Sequence, residues 1–210
     1  MAGLIVGIAV TVAVAATGGS SEPAGVRAQP DAAGAYVADW RRSQLGTWKV
    51  VMRWQRTAGG SQLHDEIRVA QRAPDRLSVA AGAVDARQGD RRLSCAAGED
   101  GRLRCRDAGA ALPYDQEVAA GEAVLRGQVV GPARLYEVTS PLPHCYELRL
   151  RVRYPAPPYG QRAQFCFDEG TGAPTLREID RVEGRDRQEA IMVSAQVDDA
   201  DLAPPPGIAG

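Results

Sequence analysis

Lysine is all but missing from this chain: Lys49 is the only one in 210 residues, and every other basic side chain is arginine. With 25 basic and 26 acidic residues the net charge is −1. That balance excludes the basic footprint of a nucleic-acid binder. The arginine skew is read as base composition of the coding DNA rather than as function. Histidine is nearly as scarce, with only His64 and His144. No serine elbow, H-E-x-x-H pair or glycine-rich phosphate loop accompanies them. His64 falls in the polar phase of its strand and His144 in a turn, so both suit a surface role and no enzyme is expected. Four cysteines without a C-x₂-C spacing do not make a zinc site. Asp198-Asp199-Ala200-Asp201 lacks the spaced loop and closing glutamate of a calcium site, and is expected to be a solvated acidic turn. Neither a metal nor a cofactor is expected.

A long hydrophobic run is also lacking. Ala2 to Ala16 is apolar and uncharged, but shorter than the ~20 residues a spanning helix needs. It fits the core of a signal peptide, with Ala13-Val14-Ala15 as an A-x-A-like cleavage site, although Met1-Ala2-Gly3 carries no positive charge. Val14 to Ser20 has the outline of a lipobox, but Thr17 stands where an acylated cysteine is required. Cleaved export is therefore preferred over an uncleaved anchor for residues 1–16, and a thioether-linked lipid is excluded. Residues 17–30 form a Gly/Ser/Pro-rich flexible linker, and residues 201–210 a disordered, proline-rich tail.

The four cysteines fall into two close pairs, Cys95/Cys105 and Cys145/Cys166, each bracketing a turn. Two hairpin disulfides follow, and these need an oxidising compartment. In the first hairpin a three-residue loop, Glu99-Asp100-Gly101, sets Cys95 opposite Cys105 and Ala97 opposite Leu103, with Gly101 at the left-handed position. In the second, both thiols lie in the polar phase of their strands.

Between the cysteines, periodicity sorts the chain into elements. Asp31 predicts an N-cap for a helix to about Gln44, with Tyr36, Val37 and Trp40 on one stripe. From Thr47 the period becomes two, with Trp48, Val50, Met52 and Trp54 pointing one way. Ala58-Gly59-Gly60 turns into a strand over 62–72 carrying Leu63, Ile67 and Val69 in phase, and Ala73-Pro74-Asp75 turns into a third over 76–80. Tyr114 to Val130 predicts a second helix, its stripe of Val118, Leu125 and Val129 weakened by Gly121 and Gly127 at about 1 kcal/mol each. Strands follow over 134–140 and 146–154, where apolar Tyr146, Leu148, Leu150, Val152 and Tyr154 alternate with charged residues. Three more run over 162–168 with Phe165 and Phe167, 174–181, and 188–197 with Ile191 and Val193. This is an α+β chain: a strongly curved antiparallel sheet, an incomplete β-barrel, with two helical segments as a lid over residues 31–200. If the helices pack tightly on the apolar face it is ordinary core; if they close it imperfectly it is an acyl-chain cleft.

The order of elements resembles the LolA/LolB-like superfamily, in particular its actinobacterial envelope proteins. The resemblance is carried by T-W-K-V-V-M-R-W at 47–54, R-A-P-D-R at 72–76, C-F-D-E-G at 166–170 and V-D-D-A-D-L-A-P-P at 197–205, across Asp31 to Pro205. It implies an eleven-strand, incompletely closed barrel that carries or senses acylated molecules. The cavity wall it implies is Trp48, Val50, Met52, Trp54, Ile67 and Val69 from the first strands. Tyr146, Leu148, Leu150, Val152, Phe165, Phe167, Ile191 and Val193 complete it. The partners so implied are a lipid or acyl-chain ligand and a membrane surface, with the protein itself a monomer. An envelope sensor that binds a regulatory protein is the alternative, and a protein partner recovered by crosslinking would favour it.

Overall fold

The computed structural model describes residues 31–98, 100, 102–204 and 208–209. The expected leader, the linker, Thr17 and the Gly101 turn position lie outside them. The first element is α1 (Ala32–Leu45), opened by Asp31, whose carboxylate accepts the N–H of Gly34 at 3.2 Å. The second helix is α2 (Tyr114–Val129). The strands are β1 (Thr47–Ala58), β2 (Ser61–Arg72), β3 (Asp75–Ala80), β4 (Ala83–Gln88), β5 (Arg91–Ala97) and β6 (Leu103–Ala110). After α2 come β7 (Tyr136–Leu142), β8 (Cys145–Leu150), β9 (Arg162–Phe167), β10 (Pro174–Arg181) and β11 (Gly184–Ser194). A short α3 (Asp199–Leu202) and β12 (Ile208–Ala209) end the chain.

All strands belong to one sheet in the order β12-β6-β5-β4-β3-β2-β1-β11-β10-β9-β8-β7. Eleven are antiparallel, β12 pairs in parallel with β6, and the sheet is curved without closing, which is the expected α+β class. The Gly59-Gly60 turn places both glycines at positive φ, 55° and 82°, which a tight two-residue hairpin demands. Both disulfides form between directly paired residues, Cys95 with Cys105 and Cys145 with Cys166. Ala97 pairs with Leu103 as the loop chemistry required.

Several elements differ from expectation. β4 is an additional strand that the periodicity does not predict. The strand expected over 146–154 stops at Leu150, because β9 begins only at Arg162 and the proline-rich 155–158 segment cannot supply a continuous ladder. Val152 and Tyr154 are consequently half-exposed. Leu63 is exposed because it lies near the tip of the β1–β2 arm, opposite Arg56. Of the tail expected to be disordered, Asp201 and Leu202 close a third helix, in which Asp198 and Asp201 form a reciprocal capping box and Leu202 is buried.

Register assigns every side chain to one of two faces. On the first lie Trp48, Val50, Met52, Ile67 and Val69, continuing through Ala163, Ile179, Tyr146 and Leu148. Tyr36 and Val37 of α1, with Leu125 and Val129 of α2, pack on the β7–β10 part of this face. Tyr36 sits 5.3 Å from the ring of Tyr146 and 5.4 Å from that of Phe165. The β2–β3 turn pairs Arg72 with Asp75, which sets Ala70 opposite Leu77 and Arg68 opposite Val79. The apolar side chains of β3–β6, namely Leu77, Val79, Val84, Ala86, Leu93 and Cys95, therefore point to the second face. The dry side of the sheet changes face between β2 and β3.

Candidate functional site

Most of the residues expected on a cavity wall are core. Trp48, Val50, Met52, Ile67, Val69, Tyr146, Leu148 and Phe167 are buried, while Trp54, Leu150, Phe165 and Val193 are partly buried against them. The C-terminal carbonyls of α1 are tied down over this face. Trp48 Nε1 donates to the Ser43 carbonyl at 2.9 Å, and the fully buried Gln71 donates through Nε2 to the carbonyls of Ser43 and Gln44. The Tyr114 hydroxyl, from the first turn of α2, also donates to Gln44. Trp40 lies so close to Gly121 that a Cβ there would stand 2.7 Å from its ring. The glycine that weakens α2 intrinsically is thus what lets the two helices meet.

An open cleft of about 580 Å³ lies on the second face. Val51 of β1, Ala70 of β2, Leu77 and Val79 of β3, and Ile191 and Met192 of β11 give it an apolar lining. Its polar members are Lys49, Glu66, Arg68 and Asp201. Three of the expected wall residues, Val50, Val69 and Ile191, border it; Val152 does not, and lies exposed beyond the end of β8. Ile191 reaches the cleft through a bulge: Val51 pairs with Met192 and Met52 with Ala190, so Ile191 is the unpaired extra residue. Ile191 and Met192 are 53% and 48% exposed, an apolar lip at an open mouth. At the α3 side Lys49 Nζ donates to Asp201 Oδ2 at 2.9 Å. This bond holds the Asp201 carboxyl below the usual range and raises the Lys49 ammonium. The volume falls within that of small-molecule sites. The acidic turn is therefore a structural clasp, in which Asp201 binds Lys49, Asp199 binds Arg72 at 2.7 Å, and Asp198 caps α3.

A buried carboxylate missed in the sequence joins α1 to the sheet. Asp39 accepts from the Tyr146 hydroxyl at 2.7 Å, lies 2.8 Å from His144 Nδ1, and pairs with Arg42 at 3.2 Å. Burial and the neighbouring carboxylate drive the Tyr146 hydroxyl well above the ordinary tyrosine range. His144, at φ 55°, is thus a positioned partner of Asp39 rather than a free surface group. Both oxygens of Asp39 are engaged within a cross-link between α1 and the β7–β8 turn, and the arrangement is structural. A signal did exist in the sequence: Asp39 falls one turn from Tyr36 on the stripe that α1 buries.

No family model matches the chain, and no curated protein matches it. Among solved structures it is similar to a LolA superfamily protein from Nitrosomonas europaea, at 8% identity and TM-score 0.35, over 82% of this chain and 97% of that one. It is also similar to a DUF1329 family protein from Desulfovibrio piger, at 8% identity and TM-score 0.34, over 82% of this chain and 95% of the other. At that identity and score the likeness assigns neither ligand nor activity.

Proposed function

We propose that this chain is a non-enzymatic binding protein of the cell envelope that holds a lipid or acylated molecule in the cleft beside α3. The observation that supports it is the open cleft of about 580 Å³ whose apolar lining continues into the exposed Ile191 and Met192. An apolar surface left open to water favours a guest that covers it. Each CH₂ of a chain laid there gains about 0.8 kcal/mol over water, the same quantity a bilayer supplies. Transfer between membrane and protein is then nearly balanced and reversible, and needs no catalytic group. Lys49, Arg68 and Glu66 suit the polar end of an amphiphile. Two disulfides favour an oxidising, extracytoplasmic location.

A fluorescent fatty acid titrated into the full chain tests this. The expected result is saturable binding that weakens at least about tenfold in Val79→Trp, where an indole fills the cleft from β3 while circular dichroism stays unchanged. Absence of binding, or equal binding by the variant, would overturn the assignment.

A further inference from the structure

A second cleft, of about 400 Å³, lies on the helix-covered face beneath the N-terminal end of α2. It is independent of the apolar one, because Leu77 points to one side of β3 and Arg76 and Ser78 to the other. Its floor is unusual for the inside of a curved sheet. Arg76 pairs in register with Arg87, and Arg87 with Arg92, so three arginines stand side by side across β3, β4 and β5. The next row along is Ser78, Asp85 and Ser94. Like charges directly opposite one another on a sheet are destabilising unless an anion joins them.

Two carboxylates already line the hollow, Asp85 from the sheet and Glu117 from α2. Glu117 binds Arg87, and also binds Arg92 at 2.7 Å. Arg87 donates in addition to the Leu112 carbonyl at 2.8 Å and stacks over Tyr114 at 4.9 Å. Arg76 has no such anionic partner: among the described residues no carboxylate or carbonyl accepts from it, and its guanidinium stands over the Trp48 ring at 6.0 Å, the outer limit of a cation–π contact. Arg76 is only partly accessible, and burial pulls its guanidinium pKa down, so the charge is held there at a cost. The Nε of Arg87, a residue only 8% exposed, also lacks an acceptor. Two buried or half-buried guanidinium groups with unspent donors thus line one hollow, joined by the hydroxyls of Ser78 and Ser94, while the Tyr114 hydroxyl is committed to the Gln44 carbonyl.

We infer that this hollow is a binding site for an anionic phosphoester, with Arg76 as its anchoring cation. The planar guanidinium fork matches phosphate oxygens two at a time, and neutral hydroxyl donors around it suit a tetrahedral, many-oxygen acceptor better than a bare carboxylate. The remaining volume admits the group the phosphate is attached to. Glu117 acts as the internal competitor, holding Arg87 and Arg92 in place while the site is empty. The phosphate can arrive on a soluble molecule or on a lipid head group, and the chemistry of recognition is the same.

The test uses the full chain and two probes. Glycerol 1-phosphate is titrated while thermal melting is followed, and vesicles of phosphatidylcholine, with or without phosphatidylglycerol, are used in flotation. A bound ligand raises the melting temperature as its concentration passes the dissociation constant. Arg76→Gln is expected to weaken binding about ten- to a hundredfold, the share of a charge-assisted hydrogen bond, and to melt no lower than the parent in phosphate-free buffer because it relieves repulsion from Arg87. Glu117→Gln is expected to tighten binding severalfold by releasing two arginines. Replacement of the exposed Arg153 by glutamine serves as the control and changes nothing. A melting shift with glycerol 1-phosphate that Arg76→Gln removes supports a soluble phosphoester. Flotation that requires phosphatidylglycerol and fails in Arg76→Gln supports a lipid head group. Neither probe binding, or binding indifferent to both substitutions, overturns the site.

Discussion

Asp39 is a buried polar residue that ties α1 to the sheet. It accepts from Tyr146, faces His144 and pairs with Arg42 while itself 8% exposed. Asp39→Ala strands the Tyr146 hydroxyl in the core beneath α1, and an orphaned buried donor costs about 1–3 kcal/mol, more where the missing partner was charged. Urea unfolding of Asp39→Ala is expected to lose about 3 kcal/mol, and Tyr146→Phe distinctly less, because it removes a donor without leaving one unpaired. Asp39 was hidden in the sequence because a carboxylate in a helical stripe is ordinarily solvated. Only the arrival of Tyr146 and His144, 107 and 105 residues further along the chain, gives it a role.

The two helices offer a sharper contrast, in a pair of glycines of α2. A Cβ at Gly127 meets nothing within 4 Å, whereas one at Gly121 would stand 2.7 Å from Trp40. Gly127→Ala is expected to stabilise by about 0.5–1 kcal/mol through helix propensity. Gly121→Ala is expected to destabilise by about 1–3 kcal/mol, since the indole of Trp40 must be displaced. Thermal melts of the two variants side by side check both, and equal shifts would refute the close approach. Element type was largely legible from local pattern. The Asp31 cap, the Gly59-Gly60 turn and the alternation from Trp48 to Trp54 sufficed for α1, β1 and β2, and the cysteine spacing for the β5–β6 register. β4 escaped because Val84 is its only large apolar residue. The cleft escaped for a different reason. It depends on which face Leu77 and Val79 take, and that follows from pairing Arg72 with Asp75 across the turn, a question of register rather than of composition. The bulge that turns Ile191 outward leaves no mark in the hydrophobic pattern at all.

For the molecule as a whole, loss of stability in alkali follows from its buried phenols. Burial raises the hydroxyls of Tyr36, Tyr114, Tyr136, Tyr146 and Tyr159 above their usual value of 10.0. Below that value both folded and unfolded chains keep these protons. Above it the unfolded chain releases them first, so stability falls as pH rises past about 10. In acid the sign reverses. Asp168 is held low by the Thr171 hydroxyl and N–H, and Asp201 by Lys49, so their contributions are present above the ordinary carboxylate pKa and lost as pH falls below it. Melting temperature against pH is expected to plateau between these limits. The two disulfides tie opposite arms of the sheet, β5 to β6 and β8 to β9. Replacing either pair by alanines is expected to cost about 2–4 kcal/mol in urea unfolding without changing the fold.

An unusual sheet whose dry side changes face leaves one stretch uncovered by either long helix, and a greasy guest is proposed to occupy it. Native mass spectrometry of the protein isolated from its producing cells examines that occupancy with the fewest intermediate assumptions. A population heavier than the polypeptide by one acyl-bearing molecule, and absent from Val79→Trp, is the expected outcome. The bare polypeptide mass in every preparation would contradict it.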